Sequence, residues 1–98
     1  MPHAPTGYHA HIYFIDEVQK ARALALRDAI AQRFPSANLG RVHDAPVAFH
    51  PAAMYQVKFP PEHLTAVLPW LHAHHERLSV LVHPIIGDVV AAHTTEAI

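Results

Sequence analysis

The chain has 98 residues, 51% hydrophobic and 15% charged, which is long enough for one buried core and too apolar for a disordered segment. Seven Lys+Arg against eight Asp+Glu leave a net charge of -1 with no basic run, so the electrostatic footprint of a nucleic-acid-binding protein is missing. The absence of cysteine excludes disulfides, thiolate zinc sites and a cysteine nucleophile.

No basic segment followed by an apolar run opens the chain, and no apolar stretch reaches 18 residues. The expectation is one soluble, cytoplasmic domain over residues 1–98 that meets neither nucleic acid nor membrane. Histidine is the anomaly: eleven residues, more than lysine and arginine together. Imidazole is a frequent metal ligand and the side chain best suited to moving protons near neutral pH.

Met1 to Gly7 reads as a loose lead-in. The first strand is expected from about Tyr8 to Ile15, rich in aromatic and β-branched residues. Alternation turns Tyr8, Ala10, Ile12 and Phe14 to one face and His9, His11 and Tyr13 to the other. His9 and His11 then stand side by side, close enough to meet on one metal ion. Asp16 is a natural N-cap with Gln19 as its capping-box partner. A helix follows over Glu17–Phe34, with Ala23, Leu26, Ile30 and Phe34 as its apolar stripe and Pro35 as its stop. Arg22, Arg27 and Asp28 read as solvated surface.

Beyond the turn cluster of Pro35 to Gly40, a second strand is expected from Arg41 to about Val47, with Pro46 marking a sheet edge. Met54–Phe59 alternates as a third strand: Tyr55, Val57 and Phe59 inward, Met54, Gln56 and Lys58 on the face of His9 and His11. Pro60-Pro61-Glu62 opens a second helix with Leu64, Val67, Leu68 and Leu71 inward. Pro69 predicts a kink or two short helices end to end. His72, His74 and His75 close this helix and read as structural surface. The fourth strand, Leu78 to Pro84, turns Val80 and Val82 inward and Leu81 and His83 outward. Val89 to Ala92 adds a short extension before His93.

The order β-α-β-β-α-β predicts an α+β, ferredoxin-like fold, an antiparallel sheet with two helices on one face. Within it the first and third strands are expected side by side and parallel in the centre, with the fourth beside the first and the second at the edge. His83 then lies beside His9 and His11, His50 reaches the group from the loop before the third strand, and His93 can fold back over it. Four histidines distant in sequence thus converge on one end of the sheet, which favours a functional site over coincidence. Leu81, Met54 and Tyr13 on the same uncovered face predict an apolar patch and hence a homodimer.

Tyr8 to Phe14, Gly40 to Val47, His50-Pro51, Met54 to Val57, Pro69-Trp70-Leu71 and Leu78 to Pro84, taken together and in this order, resemble the DOPA 4,5-dioxygenase family. The resemblance implies a ferredoxin-like, usually dimeric protein that opens a catechol ring such as that of DOPA. The reaction is extradiol cleavage with non-haem iron(II), Fe(II), and O2. Two departures accompany it: His72 to Arg77 stands where relatives carry Asn-Arg, and Ala92-His93-Thr94 replaces the acid of an Asp-His pair.

Such chemistry needs a metal with open adjacent positions, commonly provided by two histidines and a carboxylate. His9, His11 and His83 are the candidate ligands; Asp44, Asp88 or an all-histidine set would complete the site. His50 is the candidate catalytic acid–base, against a purely structural role in its His-Pro turn. His93 and Tyr13 are further candidates, Tyr55 is a core residue, and Trp70 packs helix to sheet. The competing readings are a non-catalytic dimeric module that binds a metal or a small molecule, and a cofactor-free monooxygenase of the dimeric α+β type.

Overall fold

A computed structural model describes residues 4–46, 50–86, 89–90 and 96–97. The core of the architecture is three strands: β1 (Gly7–Phe14), β3 (Ala53–Phe59) and β4 (Val80–Ile86). Strand β2 (Asn38–Leu39) lies outside β3, and β5 (Val89–Val90) and β6 (Glu96–Ala97) pair with β4, giving the sheet order β2-β3-β1-β4-β5 with β6 also on β4. Helix α1 (Glu17–Arg33) joins β1 to β2; a 3-10 turn (Pro61–His63) runs directly into helix α2 (Leu64–His74), which joins β3 to β4. This is the expected ferredoxin-like α+β arrangement.

The direction of the third strand differs from expectation. The central strands β1 and β3 are antiparallel, with Tyr8 opposite Phe59 and Phe14 opposite Ala53. A crossover helix makes parallel the two strands it connects, and here those are β1 with β2 and β3 with β4. In this split arrangement each such pair is separated by a strand of the opposite direction, so every neighbouring pair is antiparallel. The start of β3 therefore lies at the end of β1, not at its beginning.

Alternation along β1, β3 and β4 assigns their two faces. Ala10, Ile12, Phe14, Tyr55, Val57, Phe59, Val80 and Val82 face the helices, where they meet Ala23, Leu26, Ile30 and Phe34 of the α1 side and Val67 and Leu71 of α2. Each large side chain removed from water here contributes roughly 1.5–3 kcal/mol. Tyr55 is wholly buried, and its hydroxyl donates to the Ala23 carbonyl at 2.7 Å, which satisfies its one polar group.

Asp16 caps α1 as expected: its side chain accepts from the Gln19 N–H at 2.7 Å, while Gln19 Oε1 accepts from the Ile15 N–H at 3.0 Å. Pro69 lies inside α2, and the break falls earlier, where the 3-10 turn meets the α-helix. Trp70 packs helix against helix, edge-on to Phe34 with ring centres 5.5 Å apart.

The second strand also differs from expectation. Its ladder is at Asn38–Leu39, and contact with β3 resumes only at His43, opposite Met54. Three residues separate Leu39 from His43 but two separate Met54 from Val57, so this edge carries a bulge. Gly40 occupies it where a Cβ would come within 3.1 Å of the Gln56 carbonyl. Arg27, expected in solvent, instead spans from α1 to this edge, donating to the Gly40 carbonyl at 3.0 Å beside the Tyr55 ring.

The second face of the sheet is less open than expected. Tyr13 and Met54 are 8% and 3% exposed within the single chain, so of the three residues expected to form an apolar patch only Leu81 is half-exposed. Among the described residues no helix is long and apolar enough to cross a membrane.

Candidate metal centre

The histidine face is built by register. His9 of β1 stands directly opposite His83 of β4, and His11 follows two residues along the same face. Cross-strand neighbours are about 4.5–5.5 Å apart at Cβ, which places three imidazoles around one point. Their rings are 6.0 Å (His9–His11), 5.2 Å (His9–His83) and 4.9 Å (His11–His83) apart. One nitrogen of each lies within 4.8 Å of those of the other two.

His11 and His83 bring their Nε2 atoms to 2.8 Å. Two ligands at right angles, each about 2.1 Å from a metal, would be roughly 3 Å apart, so the pair already has the spacing of adjacent ligands. His83 Nδ1 lies 3.5 Å from the Pro84 carbonyl, a long contact that nonetheless orients Nε2 inward. His11 Nδ1 is buried without a hydrogen-bond partner among the described residues, so only one of its nitrogens is engaged.

The electrostatics favour the ligand form. Burial, aided by His50, His83 and His9, lowers the pKa of His11 to about 3; burial, aided by His83 and Lys58, lowers that of His9 to about 4. Both imidazoles are therefore neutral at pH 7, with lone pairs available. Nitrogen donors of three imidazoles converging on one point fit a divalent transition metal. They could hold a metal ion, and the donor set does not specify which.

His50 approaches from the end of β1 opposite to the one expected, because β3 is antiparallel. It still reaches the group: its ring lies 4.5 Å from that of His11, and its Nδ1 shares a 2.8 Å hydrogen bond with the Tyr13 hydroxyl. Burial first, then His83 and His43, lowers its pKa. Burial raises that of Tyr13, which keeps the phenol neutral.

No carboxylate among the described residues joins the cluster. Asp44 is instead paired with Lys20 at 2.8 Å, and both Asp88 and His93 lie outside the described residues. The second histidine group, on α2, makes different contacts. His74 Nδ1 donates to the Trp70 carbonyl at 2.7 Å and His75 Nδ1 to the Leu78 carbonyl at 3.0 Å.

Beside the imidazoles lies a cleft of about 420 Å³, lined by Tyr13, Ile15, Pro51, Ala52, Ser79 and Leu81 among others. Sequence reasoning missed it. Pro51, Ala52 and Ser79 carry no chemical signature, and only the antiparallel β3 brings residues 51–52 to the end of β1.

Fold and site together define a ferredoxin-like protein with a three-imidazole cluster that could hold a metal. Residues 8–98 match the Dopa 4,5-dioxygenase family, and the chain belongs to that family. It is 33% identical over 93 residues to the DOPA 4,5-dioxygenase of Amanita muscaria, an alignment covering 88% of this chain and 41% of the relative. It is also 35% identical over 85 residues to an uncharacterised 21.2 kDa protein of Botryotinia fuckeliana, covering 84% of this chain and 46% of that one. The chain thus spans less than half the length of these two relatives. A crystal structure from Nostoc punctiforme, assigned as a candidate dioxygenase, is 40% identical and superposes with a TM-score of 0.87 over 96% of this chain and 82% of its own.

Proposed function

We propose that this chain is an extradiol dioxygenase, opening a catechol ring with O2 at an iron(II) centre held by His9, His11 and His83. The observation that carries this reading is the meeting of three imidazoles beside a cleft of small-molecule size, with a fourth imidazole at the junction. Family membership supports the reaction class. In the net reaction both oxygen atoms of O2 enter the product. The carbon–carbon bond beside the two hydroxyl-bearing carbons breaks, and no outside reductant is consumed. Iron(II), when bound, supplies the Lewis acidity and the electron exchange that O2 and an aromatic ring lack by themselves.

The chain's own residues supply position and proton handling. Strands β1 and β4 hold the three candidate ligand imidazoles beside one another by register. Tyr13 engages His50 through Nδ1 and holds the ring beside the cluster. There His50 takes a proton from a catechol hydroxyl and returns one as the ring opens. The buried floor around His11 and Tyr13 excludes water from one side of the ring.

Reconstitution with Fe(II) under anaerobic conditions, followed by exposure to catechol and O2, tests the reading. Expected are one iron per chain, equimolar loss of catechol and O2, and a yellow product heavier by two oxygen atoms. Iron uptake without any O2 consumption would leave a metal-binding module and no dioxygenase.

A further inference from the structure

The bulged edge carries a further imidazole to the histidine face. Counted straight from Leu39, which stands opposite Val57, the residue facing Met54 would be Val42; the extra residue of the bulge brings His43 there instead. Two backbone bonds close the pair, His43 N–H to the Met54 carbonyl at 2.8 Å and Met54 N–H to the His43 carbonyl at 3.0 Å. Val42 accordingly packs against the helix-side core, which leaves His43 on the other face. Asp44, next along, pairs with Lys20 of α1 at 2.8 Å.

Met54 is in turn opposite Tyr13, and residues paired across a ladder share a face. His43, Met54 and Tyr13 therefore form one row across the sheet, with Met54 buried at 3% exposure and His43 half-buried on the edge segment. His50 meets this row at Tyr13, through the 2.8 Å hydrogen bond, and meets the cluster at His11. The two outer imidazoles feel each other: after burial and His83, His43 contributes to lowering the pKa of His50.

Ring opening needs an outlet for protons. When the carbon–carbon bond breaks, the hydroxyl-bearing carbon becomes a carboxylic acid and its neighbour an aldehyde, each taking one oxygen atom of O2. Phenols lose their protons near about pH 10 and carboxylic acids near about pH 4, so catechol enters protonated and the product leaves ionised. At neutral pH one proton per turnover must pass from the site to water.

Resting on the dioxygenase reading above, we infer that His43 is a proton relay that acts through His50 and carries the product's proton from the histidine face to bulk water. An imidazole accepts a proton at one nitrogen and releases one from the other, so it passes protons without leaving its place. Transfer over a single bridging water lies within the reach of such acid–base pairs.

The Fe(II)-loaded full chain and its His43→Ala and His43→Gln variants test this in dilute HEPES. Glutamine keeps size and polarity but carries no proton, so it decides the matter if the alanine variant melts early. Expected in both variants are parental iron content and unchanged affinity for catechol, the latter measured by calorimetry on the Zn(II)-loaded chain. Expected also is a fall in kcat of about ten-fold or more, largely restored as HEPES is raised to supply an external proton acceptor. The parent's kcat should not respond to the buffer. A fall that no buffer concentration relieves marks a structural role and overturns the inference, as does an unchanged kcat or a loss of iron. A parent that consumes no O2 refutes the dioxygenase reading and the relay with it. An active parent beside indifferent variants refutes the relay alone, so the two failures are distinguishable.

Discussion

The protein carries two concentrations of histidine, and they differ in what the ring nitrogens face. At the end of α2, His74 and His75 turn their Nδ1 atoms onto backbone carbonyls, and His74 stacks on Trp70 with ring centres 4.3 Å apart. These rings tie down a helix end. On the sheet, His9, His11 and His83 turn toward one another, and the contact between His11 and His83 is nitrogen to nitrogen. In that contact one ring nitrogen donates and the other accepts, and His9 brings a third ring beside them. The sheet group could hold a cation at its centre, whereas in the helix group the Nδ1 atoms of His74 and His75 already face carbonyls. Spacing in sequence does not separate the two: His72 and His75 are three apart on a helix, His9 and His11 two apart on a strand, and either can chelate. The direction of the nitrogens separates them.

The largest expected effect comes from removing a sheet imidazole. His9→Ala, His11→Ala and His83→Ala should each abolish ring cleavage and weaken iron binding by more than the about 10–100-fold cost of losing an outer-shell partner. The helix-side core is untouched, so each variant should still unfold cooperatively in a thermal melt. Full iron occupancy in all three variants would discard this ligand set.

His50→Ala should keep the metal and lose about 10²–10⁴-fold in turnover, the usual size of a missing acid–base group. Metal analysis beside kcat separates that outcome from loss of a fourth ligand. Tyr13→Phe removes only the hydrogen bond that holds His50. A net bond of about 0.5–1.5 kcal/mol corresponds to a roughly 2–10-fold fall in kcat, with iron content unchanged. The smallest effect belongs to the helix group. Replacing His72, His74 and His75 together with Gln should leave iron stoichiometry and turnover within about two-fold of the parent, since surface changes of this kind cost little. Loss of iron from that triple variant would erase the distinction between the two groups.

Much of this distinction was legible in the sequence because alternation is a local property. Tyr8 to Phe14 assigns its own two faces, and once β4 is placed antiparallel to β1, His83 must fall beside His9. The stripe Ala23, Leu26, Ile30 and Phe34 was equally readable, and all four are buried. Strand direction was misread. Met54 to Phe59 does not carry its own direction; the connection order does, because each helix makes parallel the two strands it joins, and taking β3 as parallel to β1 puts the approach of His50 at the wrong end. The second strand was misplaced for a different reason. Arg41 to Val47 has suitable residues, but pairing at an edge is decided by a few backbone contacts at Asn38, Leu39 and His43. Arg27 looked like surface because its partner is a carbonyl, which no side-chain pattern reveals.

The bulged β2 edge has a consequence for self-association. A straight, unpaired strand offers its backbone as a template on which another sheet can grow. Here the outermost ladder is two residues long, steps out of register through Gly40, Arg41 and Val42, and is followed by Pro46, which has no N–H to offer. A foreign strand laid along it would find no continuous row of donors and acceptors. Growth by stacking sheets edge to edge, the usual first step toward fibrils, is blunted on this side of the molecule.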